Sequence, residues 1–415
     1  MNKNERSVIC IDMRSFYASC MAVLHQLDVE KEAIAVVAHL DRPGSVVLAA
    51  SPPMKERFQI RTGSRLYEIP NDSSIYLFEP RMSYFMDVSV EITRLLHNFV
   101  PLEAIHVYSV DESFVDLTGT CRLWGPPEQT ARHIQEAIVR QFGIPNAVGM
   151  GPNKLLAKLA LDLEAKRTGF AKWTMEDVPT KLWPVTPLSE MWGIGHKMEQ
   201  RFNALGIETV GELANYPVEK LEKLFGVMGL QHHAHANGRD YSPFERGVEQ
   251  VKSYGKSQIL LRDYHEREEI NAILLEMCED VAKRMRDAGK IARKVSLSVG
   301  YSRKIKPIPS LHRSLTLPQS TGETLVLYRG IQKLFNQHVL PHPVRQLGVS
   351  VTGLEEERLL QLDLFDPGKL SRHQLARTMD ELRGRYGTTS VLRAVSYLPG
   401  ATLRERASLV GGHKG

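Results

Sequence analysis

The chain begins with a short apolar run, Ser7-Val8-Ile9-Cys10-Ile11, that stops at an acid, Asp12. An uninterrupted run of that length predicts a buried strand with a carboxylate at its C-terminal end. Residues 14–27 then set Phe16, Ala18, Met21 and Leu24 at helical spacing. Ala33–Ala38 and Ser45–Ala50 are β-like, divided by the turn signal Asp41-Arg42-Pro43-Gly44. Residues 83–99 and 128–142 predict helices, and His106–Leu117 reads as two β-like runs interrupted by Asp111-Glu112, a hairpin. Ala147–Met150 predicts a short strand and Asn153–Lys166 a basic amphipathic helix. Strands and helices intermix in an order that fits an α+β sheet layer covered by helices.

From residue 174 the pattern changes to short helices with Gly-rich joints, until Asn237-Gly238 and Ser242-Pro243 mark a boundary near residue 240. Residues 252–355 return to mixed structure, with helices over Ile270–Asp287 and Thr324–His338 and strands over Val295–Tyr301 and Leu347–Gly353. After residue 366 the chain is polar and basic, which predicts one helix (372–384) and a mobile end. There are no repeats and no low-complexity segment.

Composition narrows the class. The 415 residues are 42% hydrophobic, enough for roughly two to four domains with real cores. No run of about 18 apolar residues predicts a membrane helix, and the polar N-terminus is not a secretory signal, so a cytoplasmic protein is expected. Cys10, Cys20, Cys121 and Cys278 are scattered without a CxxC pair, against a disulfide framework or a Cys-type zinc site. The net charge of +5 divides unevenly: residues 1–251 hold 26 Lys and Arg against 31 Asp and Glu, and residues 252–415 hold 27 against 17. A basic half attracts polyanions, nucleic acid first among them, although a solvated basic surface has the same composition.

Acids set in apolar sequence need a partner or a metal. Asp12, Asp111 and Glu112 are candidates for a Mg²⁺ pair, which takes hard oxygen ligands and can hold both the attacking and the leaving oxygen of a phosphoryl transfer. On spacing alone they serve equally as a helix cap and a plain hairpin turn. His232, His233 and His235 have no carboxylate or Cys partner to complete a zinc set.

Two segments decide between these readings. Ile11-Asp12-Met13-Arg14-Ser15-Phe16-Tyr17-Ala18-Ser19 and Tyr108-Ser109-Val110-Asp111-Glu112-Ser113-Phe114-Val115-Asp116 resemble the two catalytic signatures of Y-family translesion DNA polymerases, and the likeness to the bacterial UmuC-like (ImpB/MucB/SamB) group runs over roughly residues 7–400. The resemblance implies a right-hand polymerase with a ferredoxin-like palm (1–28 and 81–173), small fingers (29–80), a helix-hairpin-helix thumb (174–245), an α+β little finger (246–356) and a clamp-binding motif with a basic tail (357–415). It implies two Mg²⁺ ions held by Asp12, Asp111 and Glu112 with the Met13 carbonyl. Tyr17 matches the steric gate beneath the nucleotide sugar, with Phe16 beside it; outside this context Tyr17 reads as a core aromatic.

The resemblance also implies cations for the triphosphate. In the fingers segment Ala50-Ser51-Pro52-Pro53-Met54-Lys55-Glu56-Arg57-Phe58, which departs from the usual pattern at its tandem proline, Lys55 is the first choice and Arg57 the second. Lys166, after the well-matched Gly151–Ala160 segment, falls one residue later than in typical members, and Lys154 and Lys158 read in part as a solvated helix face. Leu188–Met198 followed by Leu205-Gly206-Ile207 reads as helix-hairpin-helix, with Gly193, Gly195 and Lys197 placed to meet a DNA phosphate; an ordinary helical joint is the alternative. Gln361-Leu362-Asp363-Leu364-Phe365 matches the bacterial sliding-clamp-binding motif; an amphipathic edge strand is the plain alternative. The partners so implied are primer-template DNA, deoxynucleoside triphosphates and the clamp, with room for an accessory subunit or recombinase filament, and no membrane. A catalytically weak, clamp-tethered DNA-binding factor is the competing function.

Overall fold

The structure, a computed structural model, describes residues 6–244, 251–302, 308–357, 366–410 and 412–414. The chain divides into two compact units, Met1–Gly247 with His413–Gly415, and Val248–Gly412.

In the first unit the opening apolar run is β1 (Val8–Met13), followed by α1 (Phe16–Leu24), β2 (Ala33–Val37), β3 (Val47–Ala50), α2 (Pro52–Arg57), β4 (Ile75–Phe78) and α3 (Met82–His97). Then come β5 (Ile105–Val107), β6 (Glu112–Asp116), α4 (Cys121–Trp124), α5 (Pro127–Phe142) and β7 (Asn146–Gly151). The helical lysine segment is α6 (Lys154–Ala160), a π turn (Leu161–Ala165) and α7 (Lys166–Thr168), leading to β8 (Phe170–Lys172).

β1 lies at the centre of a five-stranded sheet ordered β5-β6-β1-β7-β8, antiparallel to both neighbours. Its period-2 alternation sends Ile9, Ile11 and Met13 into a core shared with α1, α3 and α5, and Val8 and Cys10 into a second core with α6. Both faces are covered, so the run is apolar without alternation. A smaller sheet, β3-β2-β4, holds its own core of Ala33, Ala35, Val37, Val47, Ala50, Met54 and Ile60. Beyond it in sequence, α8 (His196–Asn203), α9 (Val210–Asn215), α10 (Val218–Phe225) and α11 (Val227–Ala236) make up the strandless stretch. The α11 histidines belong to packing: burial pushes the His232 imidazole down to about 4, and its ring meets Phe202 edge-on at 5.7 Å.

Two expectations change here. The hairpin turn is Tyr108–Asp111, and Glu112 is already the first residue of β6. Asn153–Lys166 is not amphipathic: Leu155 to Leu161 are all buried, Lys158 among them.

The second unit is a four-stranded antiparallel sheet, β11-β10-β12-β9, built from β9 (Ser253–Tyr264), β10 (Lys290–Tyr301), β11 (Leu311–Thr321) and β12 (Val344–Glu356). α12 (Arg267–Asp287) and α13 (Thr324–His338) share its apolar core. The other face carries an open groove lined by Lys256, Ser257, Ser296, Ser298, Arg313 and Ser350.

The polar C-terminal region is not a mobile end. α14 (Lys369–Tyr386) and the segment after it are fastened to α12 through buried charges. Arg286 forms a two-pronged pair with Asp380 (2.7 and 3.1 Å) and donates to the Gly322 carbonyl at 2.7 Å. Glu279 takes Arg383 at 3.2 Å and Arg393 at 2.9 Å. Glu276 accepts the backbone N–H groups of Thr402 and Leu403, both at 3.0 Å.

Candidate active site

The antiparallel register of β1 and β6 sets Asp12 directly opposite Glu112, so their side chains leave the same face of the sheet. Asp111 is one residue earlier; its carbonyl accepts the Met13 N–H at 2.9 Å, and its carboxylate accepts the Ser109 hydroxyl at 2.6 Å. Three acids are thereby brought to one sheet end by pairing alone.

A cavity of about 570 Å³ opens there. Asp12, Met13, Arg14, Phe16, Tyr17 and Asp111 form one side, and Lys55 and Lys166 supply cations. Ser15, at the start of α1, has a left-handed backbone (φ 49°, ψ 42°), a conformation that costs a serine on the order of 1 kcal/mol. Its hydroxyl accepts the Lys55 ammonium at 2.9 Å. Burial and the neighbouring Arg14 hold the Lys55 pKa below its ordinary value. The Tyr17 ring stacks on Phe85 at 4.6 Å with 15° between planes, and Phe16 is buried beside it.

The electrostatics single out Asp12. Burial, with Asp111 and Glu112 nearby, pushes the Asp12 carboxyl up to about 6, even though Lys166 stands 3.6 Å away. Burial opposes charge on Lys166 as well, but Asp12 and Asp162 outweigh it and keep its pKa above the usual value. Glu112 does not line the cavity. It is engaged by Lys158 at 2.6 Å, and the Cys10 thiol donates to the same oxygen at 2.9 Å. Lys158, read in part as a solvated cation, is thus a buried partner of a site acid, with its pKa raised by Glu112 and Asp162 against the effect of burial. The helix bearing it can approach because Gly149 has no side chain: a Cβ there would lie 2.2 Å from the Ala157 carbonyl.

Of the other expected residues, Arg57 is exposed and does not line the cavity. Gly193 has φ 96°, in the left-handed region, and Gly195 caps α8; a Cβ at either would meet nothing within 4 Å, and Lys197 is exposed alongside. Trp192 ties that hairpin to the acid-bearing turn through its indole N–H, 3.4 Å from the Tyr108 hydroxyl. Gln361–Phe365 lies outside the described residues. Among the described residues, the group whose ligand atoms converge within 4.8 Å is His39, Asp41 and Glu79, none of which lines the cavity. Asp12, Asp111 and Glu112 are not drawn that close, since Glu112 faces Lys158. Sequence reading passed over Cys10, Arg14, Ser15, Phe85 and Asp162. Arg14 and Ser15 lay inside the first signature; nothing local marked the rest.

The chain resembles known proteins over nearly its whole length. The impB/mucB/samB family matches residues 11–162, its C-terminal domain residues 251–364, and the IMS family HHH motif residues 176–207. The UvrX protein of Bacillus subtilis (strain 168), named for UV-damage repair, is 48% identical over 99% of this chain and 98% of its own. DNA polymerase IV 2 of the same organism is 35% identical over 99% of both chains. DNA polymerase IV of Moorella thermoacetica is 38% identical over 95% of this chain and 97% of its own. A solved Y-family DNA polymerase chimera of Dbh and Dpo4 shares the fold, with a TM-score of 0.66 at 20% identity over 84% of this chain and 98% of that one. No helix among the described residues is long and apolar enough to cross a membrane. Family match, relatives and fold converge on one conclusion: the chain belongs to the impB/mucB/samB family of Y-family polymerases and is a DNA-directed DNA polymerase.

Proposed function

We propose that this polymerase is an error-prone translesion enzyme, working in the cytoplasm on nucleoid DNA, that extends a primer by two-metal nucleotidyl transfer and is recruited by the sliding clamp. The observation carrying the chemistry is the Asp12–Glu112 register with Asp111 at the cavity: three carboxylates at one sheet end, with Asp12 held costly to ionise. That donor set suits a hard divalent cation, because the raised Asp12 pKa marks a charge that such an ion would relieve. In this reading Asp12, Asp111, Glu112 and the Met13 carbonyl hold two Mg²⁺ ions, which would supply the positive charge that favours 3′-hydroxyl attack and pyrophosphate departure. Glu112, now held by Lys158, would complete the set on releasing that contact.

The chain's own residues do the rest. Lys166 and Lys55 take the triphosphate. Tyr17, braced by Phe85, lies beneath the sugar and excludes a 2′-hydroxyl. The bare N–H groups near Gly193 and Gly195 take a DNA phosphate, and the basic, serine-lined sheet face of the second unit grips the duplex backbone. The palm, fingers, thumb and little-finger boundaries follow the division given by the resemblance. Gln361–Phe365 supplies the clamp contact, with Leu364 and Phe365 as apolar anchors.

Primer extension with Mg²⁺ tests the catalytic reading: wild type extends, and Asp12→Ala does not while still binding DNA. Leu364→Ala with Phe365→Ala should weaken clamp binding on the order of 10³-fold, at ~2 kcal/mol per anchor, and spare unassisted insertion. Equal loss of basal insertion would assign those residues to the fold.

A further inference from the structure

The helix carrying Lys158 and Lys166 is irregular. α6 ends at Ala160, a π turn spans Leu161–Ala165, and α7 resumes at Lys166. A π turn takes up an extra residue within a helix, is rare, and is often found at functional sites. Both ends of this one are fixed. At the start, the bare Gly149 backbone sits against Ala157 and Leu161. At the finish, β8 pairs parallel with β7, Phe170 beside Val148. A regular α-helix would turn Lys166 by about 100° away from its present direction.

Asp162 lies within this turn and outside the cavity lining. Its Oδ1 is shared by Lys158 Nζ at 3.0 Å and Lys166 Nζ at 2.7 Å. Lys158 reaches on to Glu112 and Lys166 to Asp12. Charges therefore alternate along Glu112, Lys158, Asp162, Lys166 and Asp12. Lys166 lies closer to Asp162 than to Asp12, and an ammonium has three donors, so the tether leaves donors free toward the cavity.

We propose that Asp162, set in the π turn, is a positioning residue: it holds the Lys166 ammonium at the cavity mouth for the triphosphate of the incoming nucleotide. This rests on the reading of Lys166 as a triphosphate ligand. Asp162 touches no substrate and acts through Lys166 alone.

The test is a double-mutant cycle on the full chain, read by single-nucleotide primer extension with Mg²⁺ and a titration of the incoming deoxynucleoside triphosphate. K166A should raise the nucleotide KM by about tenfold or more. D162N, at a side chain 26% exposed, should raise it about three- to tenfold and change kcat by less than about twofold, with its melting temperature within a few degrees of wild type. The D162N/K166A double variant should be no worse than K166A, and D162E should recover most of the loss. D162S, read in the same way, gives a second neutral variant. K166A with an unchanged KM would overturn the triphosphate reading and this inference with it. A raised KM in K166A with unchanged KM in D162N and D162S would overturn the inference alone. So would additive effects in the double variant, or a fall in kcat at constant KM, which would place the action of Asp162 on Lys158 and Glu112.

Discussion

The molecule buries two sets of charges and treats them differently. Around α12, in the second unit, they are matched. Arg286 meets Asp380 through two bonds and turns its remaining nitrogen, Nη1, to a carbonyl and a hydroxyl, and Glu279 lies between two arginines. At the end of β1, Asp12, Asp111, Glu112 and Asp162 face Arg14, Lys55, Lys158 and Lys166, yet burial holds the Asp12 pKa near 6 even with Lys166 3.6 Å away. A matched cluster fastens one segment of chain to another. A carboxylate that burial and neighbouring acids keep costly to ionise is poised to take up a cation, and its cost to the metal-free fold is the mark of its use. Burial of charge alone does not identify a functional site; a carboxylate that its surroundings keep costly to ionise points to one.

Substitutions at three places sharpen that contrast. The largest effect falls at the end of β1: Asp111→Ala should lower primer extension by on the order of 10³-fold or more, with DNA affinity nearly intact, because affinity comes mainly from phosphate contacts. In the matched cluster, Asp380→Ala leaves a buried guanidinium unpaired and should destabilise the second unit by about 3–5 kcal/mol. Replacing both partners with apolar residues (Arg286→Met, Asp380→Leu) should recover most of it, as calorimetry would show; a single variant as stable as wild type would break the comparison. The smallest effect is expected where no charge is involved. Phe85→Leu should loosen the ring beneath Tyr17 and raise ribonucleotide insertion by a few-fold, well below the rise for Tyr17→Ala, as measured by insertion ratios. An unchanged ratio in both would reduce Tyr17 to packing.

Much of this architecture is legible in the sequence, for reasons that can be named. α3, α5, α12 and α13 follow from apolar spacing, and β1 from a run too apolar to face water. Asp12, Asp111 and Tyr17 sit in continuous signatures, so their meeting needs no knowledge of long-range contacts. Lys158 was misread because the acid that pairs with it lies on a strand distant in sequence, and a lysine in a helix looks the same whether solvated or paired. The C-terminal region was misread for the same reason. Arg383, Arg393 and Asp380 are ordinary surface residues in composition, and only α12, far away in the chain, supplies Glu279 and Arg286 as their partners. Period and composition report local burial; they do not report which charges will be matched.

The central claim is that Asp12 carries a charge costly to the fold and needed for the chemistry. Its pKa is raised by folding, from 3.8 to about 6, so protonation favours the native state. That contribution is fully present below about pH 4 and is lost as the pH rises through about 6. The most direct measurement is therefore a paired one on Asp12→Asn: thermal melting without divalent cations at pH 8 and at pH 4, and primer extension with Mg²⁺. The account predicts a variant more stable than wild type by on the order of 1–2 kcal/mol at pH 8, with the gain gone at pH 4, and unable to extend a primer. An Asp12→Asn enzyme that extends at a near-normal rate, or that melts below wild type at pH 8, would contradict it.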